Sequence, residues 1–339
     1  MRVLLLSTLA LLALTLTATA QRGARLDTPQ RVEMTQFTFE EQSFHSDAVK
    51  RDVQFGVYLP KGYADEKNAD KRYPVIIWLH GLWEDHMRFH NRGGAEVLDA
   101  AVADKKLPPC IFVTANGGRS SMYVNRPDER WEDLITKDLL AHLEKNFRVS
   151  PLREQRAIMG VSMGGMAALR IAFTQPQLFG AVGAHSSAVF AEDPEQLPDR
   201  IKQFANRLGL DEVFGNPIQK EPWQKANPLC IVNAADPAQL QALHIYFDAG
   251  SDDRYGFAAG NELLDKALTK HKVAHTWRLI DGGGHSWGNH FQDQTLPYSF
   301  AFVGEMFAAG EKAGGKAGDK PGAKASGADD KAKKAPGDK

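Results

Sequence analysis

Six short, mostly apolar runs alternate with stretches of helical spacing, and few architectures accommodate that pattern. The runs are PVIIWLH (Pro74–His80), IFVTA (Ile111–Ala115), RAIM (Arg156–Met159), AVGAH (Ala181–His185), HIYFD (His244–Asp248) and TWRLI (Thr276–Ile280). A short continuous apolar run is the signature of a strand buried on both faces. Helices are expected at Ala95–Ala103, Trp131–Phe147, Met163–Thr174, Asn261–Lys270 and Pro297–Ala308. In the second of these, Leu134, Ile135, Leu139, Leu140, Leu143 and Phe147 share one face. Buried strands alternating with helices imply an α/β fold, a mostly parallel sheet covered on both sides. Ahead of them, Phe37–Phe44 and Val53–Leu59 alternate apolar and polar residues, and are expected to add an antiparallel edge.

The two ends stand apart from this pattern. Arg2, an apolar run from Val3 to Leu16 and the small residues Ala18-Thr19-Ala20 read as a secretory signal peptide over residues 1–20. Export to the periplasm or beyond, with no membrane insertion after cleavage, is the expectation. From Ala309 to Lys339 the chain is almost all Ala, Gly, Lys, Asp and Pro, and is expected to be a disordered tail. That leaves a single domain over residues 21–308. Within it, residues 187–228 carry Phe190, Phe204, Phe214 and Trp223 among polar and Pro-rich sequence. A cap over a cleft is expected there. The net charge of −1 offers no basic face for nucleic acid. Two cysteines, Cys110 and Cys230, lie at or in strand-like runs (CIFV, CIVNA); buried free thiols and a disulfide are both open.

Residues 158–165, IMGVSMGG, fit G-x-S-x-G between an expected strand and an expected helix. In that context the pattern marks a serine on a sharp turn with its hydroxyl exposed as a nucleophile. A serine hydroxyl needs a base, and the base an orienting acid. Both follow in the chain, each past a strand end: Ser251-Asp252-Asp253 after HIYFDAG, and His285 after DGGG. Carboxyl ends of strands in an open α/β sheet converge on one edge. Ser162, Asp253 and His285 are therefore the candidate triad, with Asp252 as the competing acid. An oxyanion would be met by two backbone N–H groups, from Met163 and from Leu82 in the His80-Gly81-Leu82 turn.

These stretches resemble a known family. VYLPKGY, YPVIIWLHGL, RWEDLITKDLLAHLEKNF, RAIMGVSMGGMAALRIAFTQPQLFG, HIYFDAGSDD and GGGHSW are similar to the putative-esterase, or esterase D-like, group of α/β-hydrolases. The resemblance implies Ser162 as nucleophile, His285 as base and Asp253, third after Gly250, as acid. It implies Leu82 and Met163 at the oxyanion. The Trp131-Glu132 pair matches a buried support near the nucleophile. The group includes formylglutathione hydrolases, feruloyl and acetyl esterases, enterochelin esterases and mycolyltransferases. A signal peptide argues against the intracellular formylglutathione substrate.

The expected reaction is hydrolysis of a small-molecule or carbohydrate-linked ester, needing no metal or cofactor. His86-x-x-x-His90 has helical ligand spacing but lacks a third ligand. Trp83, Arg119, Tyr123 and Trp131 are candidate substrate contacts. The aromatics suit a sugar or a phenolic acyl group, and Arg119 suits a carboxylate of the substrate or of the protein. An acyltransferase with the same triad, and a catalytically silent binding protein, are the alternatives.

Overall fold

The computed structural model describes residues 33–288 and 290–317. The expected signal peptide and most of the expected tail lie outside them. Eight strands form one sheet: β1 (Phe37–Ser46), β2 (Arg51–Pro60), β3 (Val75–Leu79), β4 (Ile111–Ala115), β5 (Arg156–Val161), β6 (Ala181–His185), β7 (His244–Gly250) and β8 (Thr276–Ile280). Their order is β1-β2-β4-β3-β5-β6-β7-β8. β2 is antiparallel to β1 and to β4, and every other pair is parallel. The sheet is therefore an α/β sheet with an antiparallel N-terminal edge, as the sequence pattern requires.

Strands β3 to β6 are buried along their whole length, which is why they read as unbroken apolar runs. Two apolar layers cover them. One face packs under the helix Met163–Thr174 and the helical stretch from Trp131 to Asn146; the other packs under Gly94–Ala103 and the last helix, Leu296–Ala317. The Trp131 helix has a π-helical turn at Leu134–Leu139.

Three boundaries differ from expectation for local reasons. Cys230 sits on a helix, Pro228–Ala234, not a strand. Asn227 caps that helix by accepting from Leu229 N–H, and Pro228 occupies its first turn. This start signal outweighs the β-branched run that follows. Cys110 and Cys230 are both free. The helix before β8 begins at Phe257, four residues early, behind Gly256 at φ 73°. The last helix runs to Ala317, into the stretch expected to be tail from 309. Gln155 Nε2 donates to the carbonyl of Phe307 at 2.7 Å and anchors its middle.

Residues 187–228 form short helices at Asp199–Gln203, Leu210–Phe214 and Lys220–Ala226. Phe190, Phe214 and Trp223 are buried there, whereas Phe204 is exposed. The carboxyl ends of β3, β5, β7 and β8 meet beside this segment.

Candidate active site

Ser162 follows β5 and precedes its helix, with φ 57° and ψ −115°. A non-glycine residue at positive φ stores strain that the surroundings must hold. Here Ser162 N–H donates to His185 C=O at 2.8 Å, and Ser162 C=O accepts from Met166 and Ala188. The flanking glycines exist for close approach: a Cβ at Gly164 would lie 2.1 Å from Leu79 O, and one at Gly160 2.5 Å from Gly164 O. The helix can thus press its first turn against β3 and aim the serine outward.

His285 reaches Ser162 from the loop after β8. Its Nε2 is 3.1 Å from Ser162 Oγ, and its Nδ1 is 2.8 Å from Asp253 Oδ2. A carboxylate only accepts, so Nδ1 carries the proton and Nε2 is free to accept from the serine hydroxyl. Asp253 is buried and its other oxygen accepts from Tyr255 N–H at 2.8 Å. Asp252 points elsewhere: it is exposed and its Oδ1 accepts from Ser251 Oγ. Gly250 permits this arrangement, because a Cβ there would meet Gly283 O at 1.9 Å. The His285 ring rests edge-on against Tyr255 and Phe257, at 4.7 and 5.4 Å between centroids.

In the turn Gly81–Trp83, just after β3, one N–H is left open. Gly81 N–H donates to Glu84 Oε2 at 2.9 Å, and Trp83 N–H to Arg119 C=O at 2.7 Å. Leu82 N–H between them, and Met163 N–H at the helix start, have no protein acceptor among the described residues. Burial raises the pKa of Glu84, and Arg88 opposes the rise with a 2.8 Å hydrogen bond. Beneath the loop, His80 is wholly enclosed. Its Nδ1–H donates to Gly81 C=O at 2.8 Å and its Nε2 accepts from Gly117 N–H at 3.0 Å. Burial depresses its pKa to about 4.

A cavity of about 310 Å³ opens at Ser162. Leu82, Trp83, Phe190, Leu210, Phe257 and Trp287 supply apolar wall, with Arg88, Arg92 and Arg254 also bordering it. Phe190, Ile201, Leu208 and Leu210 come from residues 187–228, so that segment covers one side of the cleft. Of the expected substrate contacts, Trp83 alone borders this cavity. Tyr123 is fully buried, its hydroxyl 3.4 Å from His80 C=O, and does not border the cavity. Arg119 and Trp131 border a different cavity. His90 hydrogen-bonds Tyr58 and stacks on Phe39, while His86 faces Glu41, so the two turn to separate partners.

Two supports carry no motif. Arg170, on the helix after Ser162, is buried; it donates to the carbonyls of Met122 and Tyr123 and pairs with Glu132 at 3.1 Å. It clamps a turn in which Met122 and Tyr123 both have positive φ, and Met122 borders the cavity. Glu132 thus acts as the structural support expected of the Trp131-Glu132 pair. Glu84 is the other. Arg170 meets its turn only through the tertiary fold, whereas Glu84 bonds residues three and four positions away, Gly81 and Arg88.

Fold and site define the class: an α/β-hydrolase among the serine carboxylic ester hydrolases. The sequence matches the putative esterase family over residues 46–299, and the chain belongs to that family. Among its relatives is an endo-1,4-beta-xylanase/feruloyl esterase of Xylanibacter ruminicola, 29% identical over 175 residues. That match covers 50% of this chain and 24% of the relative, so the chain spans about a quarter of that protein's length. A solved ferulic acid esterase superposes with a TM-score of 0.67 at 27% identity, covering 80% of this chain and 99% of that one. An S-formylglutathione hydrolase from Agrobacterium tumefaciens superposes at 0.63, with 18% identity over 80% of this chain and 96% of its own. At that identity the likeness speaks to the fold alone.

Proposed function

We propose that this protein hydrolyses carboxylic esters through an acyl-enzyme on Ser162, and that its acyl group is a phenolic acid of the ferulic type. The observation that carries the reading is the chain of contacts from Ser162 Oγ to His285 Nε2 and from His285 Nδ1 to Asp253. His285 takes the hydroxyl proton as Ser162 attacks the ester carbonyl. The N–H groups of Leu82 and Met163 hold the oxygen that becomes negative. The imidazolium, steadied by Asp253, then protonates the departing alcohol. Water enters, gives a proton to His285 and releases the acid by the same steps in reverse.

The acyl preference is supported by the feruloyl esterases among the similar proteins and by the apolar wall beside Ser162. Export is part of the proposal and rests on residues 1–20; mature protein recovered from a secreting host should begin at Gln21. The activity test is turnover of methyl ferulate by wild type and by Ser162→Ala. Serine-dependent release of ferulate is expected. Equal turnover by the variant would overturn the mechanism, and no turnover by wild type the acyl preference.

A further inference from the structure

A second cavity, of about 440 Å³, opens on the same edge of the sheet. It lies between the start of β2 (Arg51 to Gln54) and the loop leaving β4 (Asn116 to Ser121). β4 and β2 are two and three strands from β5; at ~4.8 Å per strand their ends lie about 10–14 Å across the sheet from the end of β5, which Ser162 follows. The two cavities share a partition. Trp83 borders the first, Arg119 borders the second, and the Trp83 N–H donates to the Arg119 C=O. Trp83 is exposed at this partition, so a substrate bound at Ser162 would have to pass over it to reach the second cavity.

The charged groups there are not equivalent. Glu129 is taken up by Arg51 at 2.8 Å, by Arg126 at 2.5 Å and by Trp131 Nε1 at 3.1 Å. Arg126 also reaches Glu212, and Asp52 lies 2.9 Å from His45 Nδ1. The side chain of Arg119 makes no hydrogen bond or ion pair among the described residues, and neither do those of Gln54 and Ser120. Arg119 and Gln54 are exposed and Ser120 is half-buried, and no carboxylate among the described residues pairs with Arg119. Trp131 is no stacking platform: the Arg51 guanidinium covers its ring at 5.0 Å, and Gly118 abuts it so closely that a Cβ would come within 2.7 Å. What the cavity offers is one uncompensated guanidinium beside an amide and a hydroxyl. That suits a hydroxyl-rich ligand with a single carboxylate, which the planar guanidinium can bind through two parallel hydrogen bonds. The chain as a whole is slightly acidic, so this is a local device and not part of a general basic face.

We propose that this cavity is an acidic-sugar subsite. It holds a uronate residue of an oligosaccharide whose ester is bound at Ser162, with Arg119 on the carboxylate and Gln54 and Ser120 on hydroxyls. The proposal rests on the esterase reading. The test compares a feruloylated oligosaccharide bearing one glucuronate with the same compound after reduction of its carboxyl group. Wild type should favour the acidic form in kcat/KM by about fivefold, the upper range for an exposed ion pair. Arg119→Gln should bring the ratio near one, and Arg119→Lys should keep part of it. Damage to the fold would lower both rates together and leave the ratio standing. An equal rate on the two compounds in wild type, or an unchanged ratio in Arg119→Gln, would overturn the subsite. If neither compound is hydrolysed, the esterase reading fails. Calorimetric titration of wild type and Arg119→Gln with the two unesterified oligosaccharides then still decides the subsite, by the same ratio.

Discussion

Replacing His80 with Asn should flatten part of the protein's acid sensitivity. His80 is neutral in the fold because both ring nitrogens are committed: Nδ1–H to Gly81 C=O and Nε2 from Gly117 N–H. A second proton would set an N–H against the Gly117 N–H inside an enclosed site. Burial accordingly lowers the pKa from 6.5 to about 4. The unfolded chain takes up the proton first as pH falls, so the contribution of His80 is complete above about pH 6.5 and is lost on the way down through pH 4. With 1.36 kcal/mol per pH unit the loss is ~2 kcal/mol at pH 5 and ~3 kcal/mol at pH 4. Against a typical stability of about 5–15 kcal/mol, that is a large share. Urea unfolding of wild type and His80→Asn at pH 7.5, 5 and 4 measures it. The variant is less stable at pH 7.5, having lost a buried acceptor. The gap should close by ~3 kcal/mol at pH 4, because every other titrating group cancels in the difference. A gap that stays constant across the range would refute this reading of His80.

Two further outcomes are expected. Asp253→Asn should cut ester turnover by about 10⁴, as loss of the orienting carboxylate does in other triads, whereas Asp252→Asn should leave it within about twofold; steady-state kinetics of the pair separates them. Gly164→Ala forces a methyl group to 2.1 Å from the carbonyl of Leu79. It should destabilise the fold by about 3 kcal/mol or more and shift Ser162, read as a lower Tm together with slower labelling by a fluorophosphonate.

Much of the fold follows from local pattern. β4, β6, β8 and the helix Met163–Thr174 have the boundaries their sequences imply; for β4 and β6 this is because an apolar run buried on both faces ends where polarity returns. The candidate triad was legible for a different reason. Chain order and strand ends confine Ser162, Asp253 and His285 to one edge, and Gly160, Gly164 and Gly250 mark where backbones must touch. What was not legible depends on which wall of a cleft a side chain faces. Trp83, Arg119 and Tyr123 come from loops and Trp131 from a helix start, all at the correct edge, yet they divide among the ester cavity, its neighbour and the interior. Arg170 reads as an ordinary helix charge until its helix is docked against the Met122–Tyr123 turn. Cys230 shows the converse failure, a strand-like run overruled by an Asn-Pro cap two residues upstream.

The central claim is that Ser162 carries the acyl group during turnover. Intact-mass and peptide analysis of enzyme quenched in acid during hydrolysis of a feruloyl ester tests it most directly. One feruloyl group should appear on the peptide containing Ser162 in wild type, and none in Ser162→Ala. Turnover without an adduct on Ser162, or with an adduct on another residue, would contradict it.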